Sequence, residues 1–394
     1  MSPQMWVIIL CGATAMTLSL GIRASFGLFL GPISVDLAMS REAFAIAIAG
    51  QNLLWGITAP IAGGIADKFG PIRVCVVGGL VYTAGLLLAS SGISIGAVQT
   101  GLVMVGMALG ISGFAVVLGA VGRAAPPEHR SLALGIASAG GSFGQFAIVP
   151  ISQAFLSSFG WSTALVLLAA ISFAIVPLSW GLGERKIVPG MQQTIGDAVR
   201  EASRHSGFWL LTAGFFVCGF QVTFVATHLP AFIADKGLPA WLGAASLSLI
   251  GLFNIAGTLL AGWLGGRYRK KYVLAVLYLL RSLTFVLFLV APLSEFSVLA
   301  FGAALGFLWL GTVPLTSGLV AQIFGPAYMS MLYGFVFLSH QVGSFLGAWL
   351  GGRVFDLTGS YDPIWWAAVA LGIFAAVMHA PIGDKPLARA PAPA

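Results

Sequence analysis

The chain has 394 residues, of which 58% are hydrophobic and only 8% charged, against about 25% charged in an ordinary soluble domain. So few charges cannot cover a water-facing surface, so lipid is expected to face most of this one; a mean hydropathy of +0.98 agrees. The formal charge of +7 invites a nucleic-acid partner, a reading that the placement of the charges excludes.

The chain opens MSPQMWVIIL, with no basic n-region and no cleavage pattern, and reads as the start of a retained span. Runs of about 20 apolar residues, enough to cross a bilayer as a helix, follow near 5–30, 42–65, 73–91, 95–121, 131–155, 161–182, 208–233, 241–265, 272–292, 295–321, 328–354 and 362–381. The expected fold is therefore an all-α membrane protein of twelve transmembrane helices. The longest connection, 183–207, falls at mid-chain and is read as a cytoplasmic linker. It divides the chain into an N-terminal six-helix half (1–182) and a C-terminal half (208–381), with a cytoplasmic tail at 382–394 whose end, LARAPAPA, is expected to be disordered. The connections are too short to hold an enzyme domain. No nucleophile–base constellation and no metal spacing occurs, so neither catalysis, nor a cofactor, nor a metal is expected. Cys11, Cys75 and Cys218 are scattered in apolar runs and read as small buried hydrophobes.

Basic residues set the orientation. With the N-terminus inside, the inner loops hold Lys68, Arg73, Arg123, Arg130, Arg185, Lys186, Arg200, Arg204, Arg267, Arg269, Lys270 and Lys271, and the tail adds Lys385 and Arg389. The outer side holds Arg41, Lys236 and Arg353. Both termini are thus expected in the cytoplasm, and the positive charge is a topology signal.

The halves match weakly at an offset of roughly 200 residues. Pro126 pairs with Pro326, Gly141-Ser142-Phe143 with Gly343-Ser344-Phe345, and Phe159-Gly160-Trp161 with Gly359-Ser360-Tyr361. Parallel six-helix repeats with a substrate held between them near midplane are a known transporter design.

GGIADKFGPIR (63–73), between the second and third spans, resembles the loop signature of the major facilitator superfamily, with Pro71 where a basic residue is common. SFGLFLGPISVDLAMSRE (25–42), PPEHRSLALGI (126–136) and SHQVGSFLGAWLGGRVFDLTGSY (339–361) resemble the branch of monocarboxylate transporters and oxalate–formate antiporters. The resemblance implies a major facilitator fold of two pseudo-symmetric halves and alternating access. It also implies a gating role for Asp67, Lys68 and Arg73. It does not fix the substrate, because one fold serves many solutes.

Charges inside the hydrocarbon layer are costly and mark function by default. Only Arg23 and Arg281 lie well inside spans, and every acidic residue falls in a loop or at a span end. A cation without an acid points to an anionic substrate, which a guanidinium can grip. Arg23 shares a helical stripe with Gly12, Met16, Ser19 and Gly27, and lies near the lysine that monocarboxylate transporters carry in this span. The other reading is a structural arginine bonded to neighbouring carbonyls. Arg281 lies near midplane with Tyr278 and Phe285 on its face, in a span that the resemblance makes peripheral, which favours packing. His340 shares a face with Tyr333, Phe337, Ser344 and Gly347, and is the candidate for proton coupling; the plainer reading is a neutral helix contact. His228 is expected at the outer surface.

Asn254 and Thr258 stand where monocarboxylate transporters place an acidic or amide residue and then an arginine, so the amide fits and the arginine is missing. Gln145, Gln51 and Gln221 are polar positions on helical stripes, read either as ligands or as glue between helices. The substrate-binding candidates are therefore Arg23, Asn254, Gln145, Tyr333 and Arg281. The expected function is secondary transport of a small organic anion, monocarboxylate-like, by proton coupling or exchange, in the cell (inner) membrane as a monomer. The partners expected are the anion, protons and the lipid bilayer. The alternative is an efflux carrier for a toxic neutral or anionic solute, such as an antibiotic or metalloid species. A membrane sensor is a third class, but no soluble output domain is visible.

Overall fold

The computed structural model describes residues 2–39, 41–183, 194–239 and 241–387. Arg185, Lys186 and Arg389 of the orientation count, and the side chain of Arg41, lie outside the described residues. Among those residues every regular element is a helix, as lipid requires of a chain that must satisfy its backbone internally.

The first span is α1 (Pro3–Ala24) continued by α2 (Phe26–Asp36); the second is α3 (Arg41–Phe69) and the third α4 (Pro71–Ser90). The fourth is α5 (Ile95–Ser112) and α6 (Phe114–Ala124). The fifth and sixth form one helical run, α7 (Pro127–Phe173), extended by α8 (Ile175–Ser179) and a 3-10 turn at Trp180–Leu182. After α9 (Ile195–Arg204) come α10 (Ser206–Asp235), α11 (Trp241–Arg267) and α12 (Lys270–Val290). The tenth span is α13 (Glu295–Phe307) plus α14 (Thr312–Phe324), the eleventh α15 (Met329–Thr358) and the twelfth α16 (Asp362–His379). Nine described stretches are long and apolar enough to cross a membrane, and one of them, Pro127–Leu182, has 56 residues, enough to cross twice. With α3 and α15, of 29 and 30 residues, the spans number twelve, so the start of α1 and the end of α16 lie on one face, called here the terminal face.

The two halves pack alike. α1 lies against α7 as α10 lies against α15, α3 against α5 as α11 against α13, and α4 against α7 as α12 against α16. The halves meet along two seams, α3 with α15 and α7 with α11. Equivalent turns also match. Gly160, between the fifth and sixth spans, has φ 76°, and Gly359, between the eleventh and twelfth, has φ 68°, a region that glycine enters without a Cβ clash. The fourth and tenth spans are both broken, at Gly113 and at Leu308–Gly311. Leu279, Leu280, Leu283 and Leu287 of α12 and Trp366, Ile373, Phe374 and Val377 of α16 are exposed, the faces that lipid covers.

The mid-chain connection carries structure of its own. α9 opens with a capping box in which Thr194 and Asp197 bond each other's backbone, and the Thr194 hydroxyl, at 2.6 Å, together with the Thr194 N–H, holds the Asp197 carboxyl below its ordinary range. Ala198 and Ala202 are buried. The start of the tail folds back on the terminal face. Arg269 donates to both oxygens of Asp384, at 3.0 and 2.5 Å, Lys271 donates to the Ile382 carbonyl at 2.8 Å, and Leu387 N–H to the Ile323 carbonyl at 3.0 Å. The guanidinium hydrogen bonds hold the Asp384 carboxyl below its ordinary range.

Candidate functional site

Arg23 sits in the last turn of α1, where the helix dipole favours a cation, roughly 30 Å along the helix from the terminal face at 1.5 Å per residue. Its Nη2 donates to Asn52 Oδ1 at 2.5 Å, and its guanidinium carbon lies 5.0 Å from the centroid of the Trp55 ring. Asn52 is itself held by donating to the Ile48 carbonyl at 3.1 Å. Arg23 Nε is buried without a bond. Among the described residues Nη1 has no hydrogen-bond partner, and no carboxylate reaches the guanidinium. A fixed positive charge with unused donors therefore stands one ring away from the opposite half.

That ring joins the halves. Trp55 is parallel to Phe114 with centroids 6.3 Å apart and meets Phe337 of α15 at 5.1 Å. Phe337 stacks on His340 at 5.2 Å and 8°, and Phe215 of α10 closes on the same imidazole at 4.8 Å. Tyr333 lies 6.0 Å from Phe337, and its hydroxyl is buried without a partner. His340 Nδ1 is 2.9 Å from Gln341 Oε1, while His340 Nε2 and Gln341 Nε2 are buried and unbonded. Arg23, His340 and Tyr333 thus belong to one connected cluster that crosses the seam.

Asn254 and Arg281 are spent elsewhere. In the break of the tenth span, the Leu310 N–H donates to Asn254 Oδ1 at 2.9 Å. Arg281 Nη2 donates to the Leu308 and Trp309 carbonyls at 2.7 and 2.6 Å, and Nη1 to Gln221 Oε1 at 3.1 Å. Asn254 also accepts from Thr258 at 2.9 Å and donates to Ser142 of the other half at 2.8 Å. Both side chains are fully buried. Gln145, half-buried, donates to the Leu247 carbonyl across the second seam at 3.3 Å. His228 is not at the surface: it is buried, with Nε2 2.8 Å from the Ala348 carbonyl, because α10 runs on to Asp235 and leaves it inside the packed helix pair.

At the terminal face Asp67 forms an ion pair with Arg123 at the end of α6 and accepts the Met331 N–H of α15 at 2.9 Å. Arg123 also donates to Ser330 at 3.0 Å. Lys68 and Arg73 are exposed, Lys68 over the Phe69 ring at 5.3 Å. The sequence reading missed Asn52, and it counted Arg123 only toward orientation. Nothing local marks either, since their partners come from 29 and 56 residues away.

Twelve spans in two like halves, joined at two seams, are the architecture of a polytopic membrane protein built by duplication. The model of the Major Facilitator Superfamily matches residues 9–309, and the chain belongs to that family. It is 27% identical over 371 residues to monocarboxylate transporter 13 of Bos taurus, covering 90% of this chain and 84% of that one. It is 24% identical over 359 residues to the oxalate:formate antiporter of Oxalobacter formigenes, covering 89% and 84%. It is also 25% identical to the uncharacterised transporter YcxA of Bacillus subtilis (strain 168), covering 98% of each chain. Among solved structures, the fold is similar to the E. coli fucose:proton symporter (TM-score 0.69, 18% identity, 96% and 98% covered) and to the human organic anion transporter MFSD10 (0.72, 13%, 96% and 100%). The chain is a transporter and not an enzyme.

Proposed function

We propose that the chain carries a small, monocarboxylate-like organic anion across the cell (inner) membrane, that Arg23 is its ligand, and that His340 links the movement to a proton. The observation that carries the reading is Arg23 itself, a guanidinium oriented by Asn52 and Trp55, with free donors and no carboxylate among the described residues. An anion supplies the missing counter-charge with charge-assisted hydrogen bonds. His340 supports the second part, since its Nε2 is unbonded and its ring lies against Phe337, which touches Trp55. Relatives named for monocarboxylates and for oxalate and formate favour the same substrate class. Asp67 and Arg123 lock the terminal face, which is the cytoplasmic face on the strength of its basic residues; Lys68 and Arg73 flank the lock. Gln145 bonds across the second seam and Tyr333 belongs to the aromatic cluster, whereas Asn254 and Arg281 are committed to the broken tenth span.

The alternative, efflux of a toxic neutral or anionic solute, is favoured by one observation. Thr258, where the resemblance to the monocarboxylate branch implies an arginine, donates to Asn254, so the eighth span offers no cation at that position. Uptake of labelled acetate, lactate, pyruvate and benzoate into proteoliposomes, with and without a pH gradient, separates the two. Gradient-driven accumulation of one acid is expected; inertness toward all four, with export of a neutral drug, supports the alternative.

A further inference from the structure

The face of α3 that meets α15 is a zipper. A Cβ on Gly56 would fall 2.7 Å from Gln341 Cβ, and one on Gly63 would fall 2.6 Å from the Ser330 backbone. A Cβ on Gly334 would fall 2.6 Å from the Pro60 backbone, and Asp67 takes the Met331 N–H. Positions 56, 60, 63 and 67 recur at helical spacing on one stripe, with the two backbones too close for any solute to pass between them. Trp55 stands at the top of this stripe, on the side nearer Arg23. It is buried, touches Phe337 across the seam, and lies under the guanidinium. Opening the terminal face requires α3 to leave α15, and the Trp55–Phe337 contact must then break.

We propose that Trp55 is the positioning residue through which Arg23 controls this gate. The unneutralised guanidinium attracts the indole face and holds the ring against Phe337. An anion on Arg23 neutralises the charge, weakens that attraction and frees α3 to part from α15. Empty carrier is thereby kept closed toward the terminal face, and the loaded carrier is released. Only the last step, the identity of the neutralising ligand, rests on the reading of Arg23 as an anion site.

The Met331 amide reports the gate, since its N–H bonds to Asp67 of the opposite half. Hydrogen exchange of residues 329–332, measured in nanodiscs relative to 270–290 in α12, is compared between the parent, Trp55→Phe, Trp55→Ala and Arg23→Gln. Exchange is expected to rise at least about threefold in Trp55→Ala and in Arg23→Gln, the low end of the range for a cation–π contact, and less in Trp55→Phe. No rise in Trp55→Ala overturns the proposal, as does a rise in Trp55→Ala without one in Arg23→Gln. Millimolar acetate, lactate, pyruvate or benzoate should raise exchange in the parent and leave Trp55→Ala unchanged. If none of the four acts while the variants keep their order, the anion reading falls and the gate stands.

Discussion

Arg281 and Asn254 bond the two chemical sides of one break. Arg281 takes the carbonyls of Leu308 and Trp309, and Asn254 takes the N–H of Leu310. A helix broken inside a membrane leaves polar backbone groups that lipid cannot satisfy, and two side chains from neighbouring spans supply the partners. The Gly306 and Gly257 contacts, where a Cβ would meet the Ile250 and Phe307 backbones at 2.7 and 1.9 Å, bring α11 close enough for Asn254 to reach.

Arg281→Leu is therefore expected to destabilise the protein by about 2–5 kcal/mol, the range for buried acceptors left without donors. The thermal midpoint of the purified protein should fall, with the KM of the remaining folded fraction unchanged. A folded variant with normal stability and a raised KM would instead make Arg281 a substrate ligand.

Asp67→Asn should shift the carrier toward the state open at the terminal face. Asp67 is buried in an ion pair and accepts a backbone N–H of the opposite half, so losing its charge weakens the closed state alone. A cost of about 1–3 kcal/mol moves the populations roughly five- to 150-fold. Arg123→Gln should do the same, and Lys68→Gln far less. Cysteine accessibility on the two sides reports the shift; equal labelling of all variants would leave the charges with orientation only.

His340→Gln should uncouple transport from the proton gradient more than it weakens binding. Glutamine keeps a hydrogen bond toward Gln341 but cannot take up a proton. Counterflow should persist while gradient-driven accumulation is lost and the pH profile flattens. An unchanged profile would make the imidazole a packing ring of the aromatic cluster.

The tail should stay docked across physiological pH. Asp384 is held below the ordinary carboxylate value of about 3.9 by Arg269. A depressed carboxyl contributes docking stability that is present above that ordinary value and is lost as pH falls through its own lower value. The protection factors of 382–387, with the intrinsic pH dependence of amide exchange divided out, should be constant from neutral pH down to about 5, and should fall at neutral pH in Asp384→Asn.

The twelve spans were legible because lipid imposes length and apolarity on each one, and the repeat that sets Phe159-Gly160-Trp161 against Gly359-Ser360-Tyr361 marks the two turns, one residue off the pairing of Gly160 with Gly359 that the backbone shows. Arg23 could be singled out because a charge inside an apolar run has few explanations. What could not be read was partnership. Arg281 and Arg23 look alike in sequence; the difference lies in the broken tenth span, whose carbonyls reach only Arg281. Asp67 stands beside Lys68, yet its partner is Arg123, because successive residues on a helix point in different directions. Nothing in the sequence ties the start of the tail to the helices, yet Ile382 and Asp384 are bonded by Lys271 and Arg269, residues that the orientation count treats as loop charges.

The central claim is that Arg23 is the anion's ligand. The most direct test is the thermal midpoint of the purified protein with and without a transported monocarboxylate, in the parent, Arg23→Lys and Arg23→Gln. The account predicts equal ligand-free midpoints to within about 1 kcal/mol of stability, a rise with ligand in the parent, a smaller rise in Arg23→Lys and none in Arg23→Gln. A full ligand-induced rise in Arg23→Gln would contradict it.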